Sequence, residues 1–286
     1  MSSSLSLLVR RKLAYVVTLA SLVFAMQPIS MTYADHQPDH ANHSSHELHK
    51  PQSPKRSMRD AVVWTTYPTL KIMAGGESRM RREVSLLPKN ITPGRLDAYS
   101  ANLKAADAHR ELPYDLVTAK LEKSSTGGFV WLSAREEQAD KVIVASTVYY
   151  MSERGSVNPT AMFMQQKHSL EIIPQPFPRE HSRYRSNEDW KFLVRFNGRL
   201  LPNQAVSMVT QNGSKLLFKS DAHGVVTVRI PDDFSAMPES KLAQSHSHGR
   251  KSSEFVLVTE HQQAGKSYLT GFNGNYGADA YDGRSL

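Results

Sequence analysis

The seven residues Trp190-Lys191-Phe192-Leu193-Val194-Arg195-Phe196 constrain the fold of this chain more than any other stretch. Trp190, Phe192, Val194 and Phe196 occupy every second position, so an extended backbone places all four on one strongly apolar face. Asn197-Gly198 follows at once, a turn pair that reverses the chain. The same pattern recurs downstream: Val206–Thr210 and Leu216–Phe218 flank Asn212-Gly213, and Val226, Val228 and Ile230 alternate. Glu254–His261 and Tyr268–Phe272 complete the series. Upstream, short β-branched and aromatic runs cover Ala61–Tyr67, Glu83–Leu87, Tyr114–Leu121, Gly128–Ser133, Val142–Met151, Ala161–Met164 and Ser169–Ile173. Turn residues separate them at the spacing of an antiparallel sandwich. Only Leu96–Arg110, rich in alanine, reads as a helix or an irregular crossover.

Residues 174–189 (PQPFPREHSRYRSNED) hold three prolines and several charges, the composition of an interdomain linker. The expected fold is therefore all-β, with two antiparallel β-sandwich domains at 59–178 and 186–273 and a flexible C-terminus over 274–286. The chain has no cysteine, so its stability must come from a packed core rather than disulfides.

The first 34 residues read as a cleavable signal peptide. Arg10, Arg11 and Lys12 give a positive start, and the 14 residues Leu13–Met26 are free of charge. That is the length of a signal core and short of the roughly 20 residues that cross a bilayer. Ala34 suits the cleavage position, which predicts export to the periplasm and no transmembrane segment after cleavage. Removing residues 1–34 lowers the formal net charge from +8 to +5. That modest excess suits weak attraction to anionic surfaces. No basic helix or aromatic-studded basic strand marks a nucleic-acid site, so no nucleic-acid partner is expected.

Three stretches carry a resemblance. Gln166–Pro178 (QKHSLEIIPQPFP), Phe192–Val209 (FLVRFNGRLLPNQAVSMV) and the turn Ser220–Gly224 (SDAHG) resemble the DUF4198 family of exported bacterial proteins. Gly198, Leu200, Pro202, Ala205 and Val206 match one signature of that family, and Asp221, Ala222 and Gly224 match a second. The resemblance spans roughly 166–272 and implies a transthyretin-like β-sandwich for 186–273. Some members are linked to nickel or cobalt uptake, which implies a periplasmic metal-related role. Two departures stand out: the His-Asp-aromatic start common in the family is missing, and His223 occupies a position usually acidic, amide or basic. These motif residues also have local explanations. The Asp221 carboxylate is expected to accept backbone N–H bonds, and Gly224 to take a positive φ.

Histidine is the leading chemical signal. Of twelve in the chain, His36, His40, His43, His46 and His49 fall within residues 35–58, a polar segment expected to be disordered. Neutral imidazoles bind Ni²⁺, Co²⁺, Cu²⁺ and Zn²⁺, and spacings of three and four align them on one face if a metal induces a helix. Asp35, Asp39 and Glu47 can add oxygen ligands. Cleavage after Tyr33 instead would expose Ala34-Asp35-His36, a square-planar set for Cu²⁺ or Ni²⁺. His246 and His248 form a second short cluster, whereas His168, His181, His223 and His261 read as ordinary strand or loop histidines. Met162 and Met164 would share one face of a strand, a pairing that suits packing more than Cu(I).

No GxSxG, HExxH or P-loop pattern is present, and no cysteine nucleophile exists. The chain is therefore expected to be non-catalytic: a periplasmic transition-metal-binding accessory protein for uptake or homeostasis, working with a membrane transporter or other envelope protein. The alternatives are a sandwich that binds an envelope protein, peptide or glycan, with Trp131, Trp190 and Tyr149-Tyr150 as contributors, and a hydrolase whose site is assembled from distant residues.

Overall fold

In the computed structural model, residues 64–74, 83–114, 119–122, 127–150, 157–177, 183–234 and 252–277 are described. Three strands, β1 (Thr69–Ala74), β2 (Glu83–Lys89) and β5 (Ala119–Glu122), form a small antiparallel sheet in the order β1-β2-β5. Between β2 and β5 lie β3 (Arg95–Ser100) and β4 (His109–Glu111), joined by a turn-rich crossover, where the alanine-rich stretch reads as a helix or an irregular crossover. Helix propensity, even alanine's, is small beside tertiary burial, and here Leu96, Ala98 and Tyr99 are buried in a sheet.

The long strands β6 (Phe129–Glu137) and β7 (Lys141–Tyr150) make a hairpin, and the five-residue helix α1 (Thr160–Met164) follows. Then come β8 (Leu170–Gln175), β9 (Arg183–Arg185), β10 (Asp189–Phe196), β11 (Arg199–Leu200) and β12 (Ala205–Thr210). The chain continues through β13 (Lys215–Lys219), β14 (Val225–Arg229), β15 (Ser252–Gln263) and β16 (Lys266–Gly277).

A nine-stranded sheet runs β13-β12-β15-β16-β7-β6-β3-β4, and β9 also pairs with β16. A four-stranded sheet has β10 at its centre, beside β8, β14 and β11. The fold is all-β and sandwich-like. One face of the large sheet, with Trp131, Phe255, Leu257, Phe272 and Tyr276, packs on Ile172, Phe192, Val194, Val226 and Val228 of the four-stranded sheet. The opposite face of β3, β6 and β7, with Ala98, Leu132 and Ala145, packs on Leu70 and Leu86 of the small sheet. Burial on both faces explains why Phe129–Ala134 reads as an unbroken buried run rather than an alternating one.

The division into two sandwiches at 59–178 and 186–273 does not hold. Strand β7 lies beside β16 in parallel register, from Ser267↔Lys141 to Asn273↔Thr147, and β8 pairs with β10. All described residues belong to one compact unit. The sheet is also mixed rather than purely antiparallel, since β16 is parallel to both β7 and β9. Alternation marks a strand but says nothing of its partner, and β7 and β16 lie more than a hundred residues apart.

The described residues of the expected linker are likewise part of the body: Phe177 and Tyr184 are buried, and Tyr184 meets Phe192 and Phe255 in the core. The C-terminal boundary moves too, because β16 runs to Gly277 and buries Tyr276.

Local chemistry accounts for α1. Asn158 Oδ1 accepts bonds from Thr160 N at 3.0 Å and Thr160 Oγ1 at 2.7 Å, starting a turn where a strand was expected. Met162 is buried and Met164 is 50% exposed, so the two do not share a face.

Candidate functional site

A buried cluster of ionisable groups lies under the end of α1. Glu171 on β8 and Arg195 on β10 face each other in paired strands, with Arg195↔Glu171 directly in register. Glu171 Oε2 accepts from Arg195 Nε at 2.7 Å, and Glu171 Oε1 accepts from Lys167 N at 3.0 Å. The rest of the guanidinium donates to Met164 O at 2.9 Å and Gln165 O at 2.6 Å. Lys167 Nζ donates to Met162 O at 2.7 Å and Gln165 O at 2.9 Å, and sits 4.8 Å from the centre of the Trp131 ring. Two cations thus cap the carbonyls that a short helix leaves unpaired at its C-terminus. Burial pulls the Lys167 ammonium down to about 8, against the opposing pull of Glu171.

Beside it, Asp97 is fully buried and hydrogen-bonded to Arg95 Nε at 2.7 Å and His109 Nε2 at 2.8 Å. The His109 ring stacks on Tyr99, with centroids 4.3 Å apart. Burial, reinforced by Asp97, pushes the Tyr99 hydroxyl up to about 12. His168 is buried, its Nε2 has no hydrogen-bond partner among the described residues, and burial pushes the imidazole down to about 3. His168 is therefore neutral at pH 7 and held as a core residue.

Apart from that nitrogen and the buried Trp131 Nε1, which has no partner among the described residues, the cluster's named polar groups bond one another or the α1 carbonyls and join α1, β3, β8 and β10. A hydrolase would need such groups to line a cleft. The apolar cavity nearest α1, about 230 Å³, is lined by residues such as Phe129, Pro159, Phe163, Ile173 and Phe177 and contains none of them.

A second polar cluster lies where the chain leaving β14 meets the ends of β12 and β16. Asp233 accepts from Thr210 Oγ1 at 2.6 Å, Tyr276 OH at 2.6 Å and Asn212 Nδ2 at 2.9 Å. Burial alone would raise the Asp233 carboxyl, but these donors together with Ser214 outweigh it and hold it below its ordinary value.

The predicted ligands His36, His40, His43, His46, His49, His246 and His248 all lie outside the described residues, as does His181. Of the dispersed histidines, His223 is exposed in the β13–β14 turn, and His261 on β15 lies against Phe196, with centroids 4.5 Å apart. Among the described residues no group of three or more His, Cys, Asp or Glu side chains could hold a metal ion. Asp221 and Gly224 behave as their turn chemistry predicts. Asp221 Oδ1 accepts from His223 N at 2.8 Å and Val225 N at 2.9 Å, and Gly224 has φ +70°. A Cβ on Gly224 would lie 2.9 Å from Val194 O, so close approach as well as φ requires glycine.

Sequence reasoning passed over His109 and Asp97, and it read the β13 strand without its exposed edge. The two residues sit twelve apart and meet only because β3 and β4 pair. The strand matters for its exposure. Strand β13 is the end strand of the large sheet, and Leu216 and Leu217 are exposed along it. Next to it the segment 64–68 crosses the sheet as a strap, Trp64 and Tyr67 packing over Val209, Val256 and Val258. Strap and edge enclose an open groove of about 580 Å³.

No family model matches the chain, and no curated protein matches its sequence. Among solved structures, murine CEACAM1b is 8% identical, with 74% of this chain and 99% of that chain covered and a TM-score of 0.21. A two-domain fibronectin type III segment from chicken tenascin is 11% identical, with 73% and 97% covered and a TM-score of 0.21. Neither likeness carries an argument about function. Among the described residues no helix is long and apolar enough to cross a membrane.

Proposed function

We propose that this chain is an exported, non-catalytic transition-metal-binding accessory protein, in which residues 35–58 hold the metal and the β body carries them. The observation behind this reading is the placement of His36, His40, His43, His46 and His49 within fourteen residues. Five imidazoles on a short polar segment can wrap one Ni²⁺, Co²⁺, Cu²⁺ or Zn²⁺ ion and pass it on, which suits loading and transfer better than catalysis. The signal-like first 34 residues and the DUF4198 resemblance of 166–272 support the same compartment and role. Transfer would be to a membrane transporter or another envelope protein. Because the ligands must be neutral imidazoles, binding weakens as pH falls below about 6.5.

Titration calorimetry with each metal on residues 35–286 and 59–286 tests the proposal. Tight binding by the longer form alone supports it. Equal binding by both forms moves the ligands into the body and overturns the role given to 35–58. No binding by either removes the metal reading.

A further inference from the structure

We propose that β13 is a docking edge for an extended peptide whose apolar centre is flanked by acidic residues, bound by addition of a strand to the nine-stranded sheet. Register, exposure and charge of β13 point to this role, and metal binding plays no part in it.

Among the described residues β13 pairs with β12 alone. The pairing runs from Ala205↔Lys219 to Val209↔Lys215. Thr210 N donates to Ser214 O at one end of the hairpin, and Ser220 N donates to Gln204 O at the other. In an antiparallel ladder the hydrogen-bonded pairs alternate. Thr210/Ser214 and Gln204/Ser220 are such pairs, so Met208/Leu216 and Val206/Phe218 are the ones between them. The backbone N–H and C=O groups of Lys215, Leu217 and Lys219 therefore point away from β12, toward the open edge. Three consecutive outward residues are the template that an added strand requires.

The side chains sort the same way. Phe218 packs against the core shared with the four-stranded sheet. Lys215, Leu217 and Lys219 lie on the opposite face, the one that carries the strap. Leu217 is 74% exposed and lines the groove with Trp64, Tyr67 and Lys215. An added strand would place its central side chain against Leu217, at the mouth of that groove.

Charge selects the occupant. Antiparallel pairing of β13 with a second copy about Leu217 would put Lys215 opposite Lys219 at both ends, and like charges directly opposed are destabilising. Neither lysine has an ion-pair partner among the described residues. A strand with acidic residues two positions either side of its centre meets both lysines instead.

Fluorescence anisotropy with the purified protein tests this, using the labelled peptide Thr-Asp-Val-Val-Val-Asp-Thr and its counterpart with lysine at both aspartate positions. The acidic peptide is expected to bind at least about tenfold more tightly, with an affinity that falls as salt rises. Leu217→Pro removes an outward N–H that the fold does not use, so the melting temperature should hold while binding is lost. The double variant Lys215→Glu/Lys219→Glu should exchange the preference between the two peptides. Equal binding of both peptides, binding of neither, or an unchanged preference in the charge-exchanged variant overturns the proposal and leaves the lysines as guards against edge aggregation. If Leu217→Pro does not fold, the charge exchange decides.

Discussion

Glu171 and Arg195 form an ion pair at 2.7 Å with side chains only 1% and 5% exposed, joining two strands that are 24 residues apart in sequence. A buried pair gains its Coulomb energy at the expense of hydration, so its net contribution is small, yet removal of one partner strands the other charge. Arg195→Met should destabilise the protein by about 3–5 kcal/mol, since Glu171 then lacks its cation and two α1 carbonyls lose their donor. The double variant Glu171→Leu/Arg195→Met should be destabilised by clearly less than the two single changes added together. Urea unfolding of the four proteins measures this, and strict additivity would refute the pair's role.

That pair also shows how much was legible beforehand. The β8 and β10 stretches read as strands, and the Asn197-Gly198 turn is a tight hairpin, with φ of 47° and 77°. At Asn212-Gly213 only Gly213 takes a positive φ, because Thr210 pairs with Ser214 and the loop is the three residues Gln211-Asn212-Gly213, of which the last alone is left-handed. Local chemistry was readable because it acts within a few residues. The Glu171–Arg195 contact, the parallel pairing of β7 with β16 and the burial of Tyr184 each depend on a partner far along the chain. No period or turn residue encodes that choice. The groove beside β13 was hidden for the same reason: its walls come from residues 64–67 and 207–217, and an exposed leucine has no sequence signature. The predicted histidine ligands, outside the described residues, rest on composition alone.

His168 predicts an acid sensitivity. Its folded value of about 3 lies below the ordinary 6.5, so between those values the unfolded chain binds a proton that the folded chain refuses. The stability this group contributes is complete above pH 6.5 and is lost as pH falls toward 3. Going from pH 7 to pH 5 should cost about 2 kcal/mol through His168, a window above the ordinary carboxylate range. Denaturant unfolding at both values should show the loss in the natural protein and a much smaller one in His168→Leu. An equal loss in both would assign the effect elsewhere.

Gly224 offers a backbone test. Its φ of +70° and the 2.9 Å approach that a Cβ would make to Val194 O act together. Gly224→Ala should cost about 2–3 kcal/mol, from positive-φ strain and a displaced β10 backbone. Asp221→Ala, which removes two bonds to backbone N–H groups at an exposed turn, should lower stability by clearly less than Gly224→Ala does. A thermal melt that ranks them the other way would contradict this account of the turn.

The strap over β12, β15 and β16 is held by two features that can be separated. Asn90 Nδ2 donates to Thr65 O at 2.7 Å and Tyr67 O at 2.9 Å, and Asn90 itself has φ 55°. Asn90→Gly removes the bonds and keeps the backbone, costing about 1 kcal/mol, whereas Asn90→Ala adds left-handed strain and should cost about 1 kcal/mol more. Gly271 lets the strap lie flat: a Cβ there would stand 2.5 Å from Pro68 O, and that neighbour is backbone rather than a side-chain tip. Gly271→Ala must therefore lift the strap from the sheet, at a cost of about 1–3 kcal/mol. Because Trp64 and Tyr67 wall the groove beside β13, Gly271→Ala should also weaken binding of the acid-flanked peptide, while Gly224→Ala, on the opposite side of the sheet, should not. Anisotropy titrations of the two variants at a temperature where both remain folded distinguish these outcomes, and equal losses would mean that the strap takes no part in the groove.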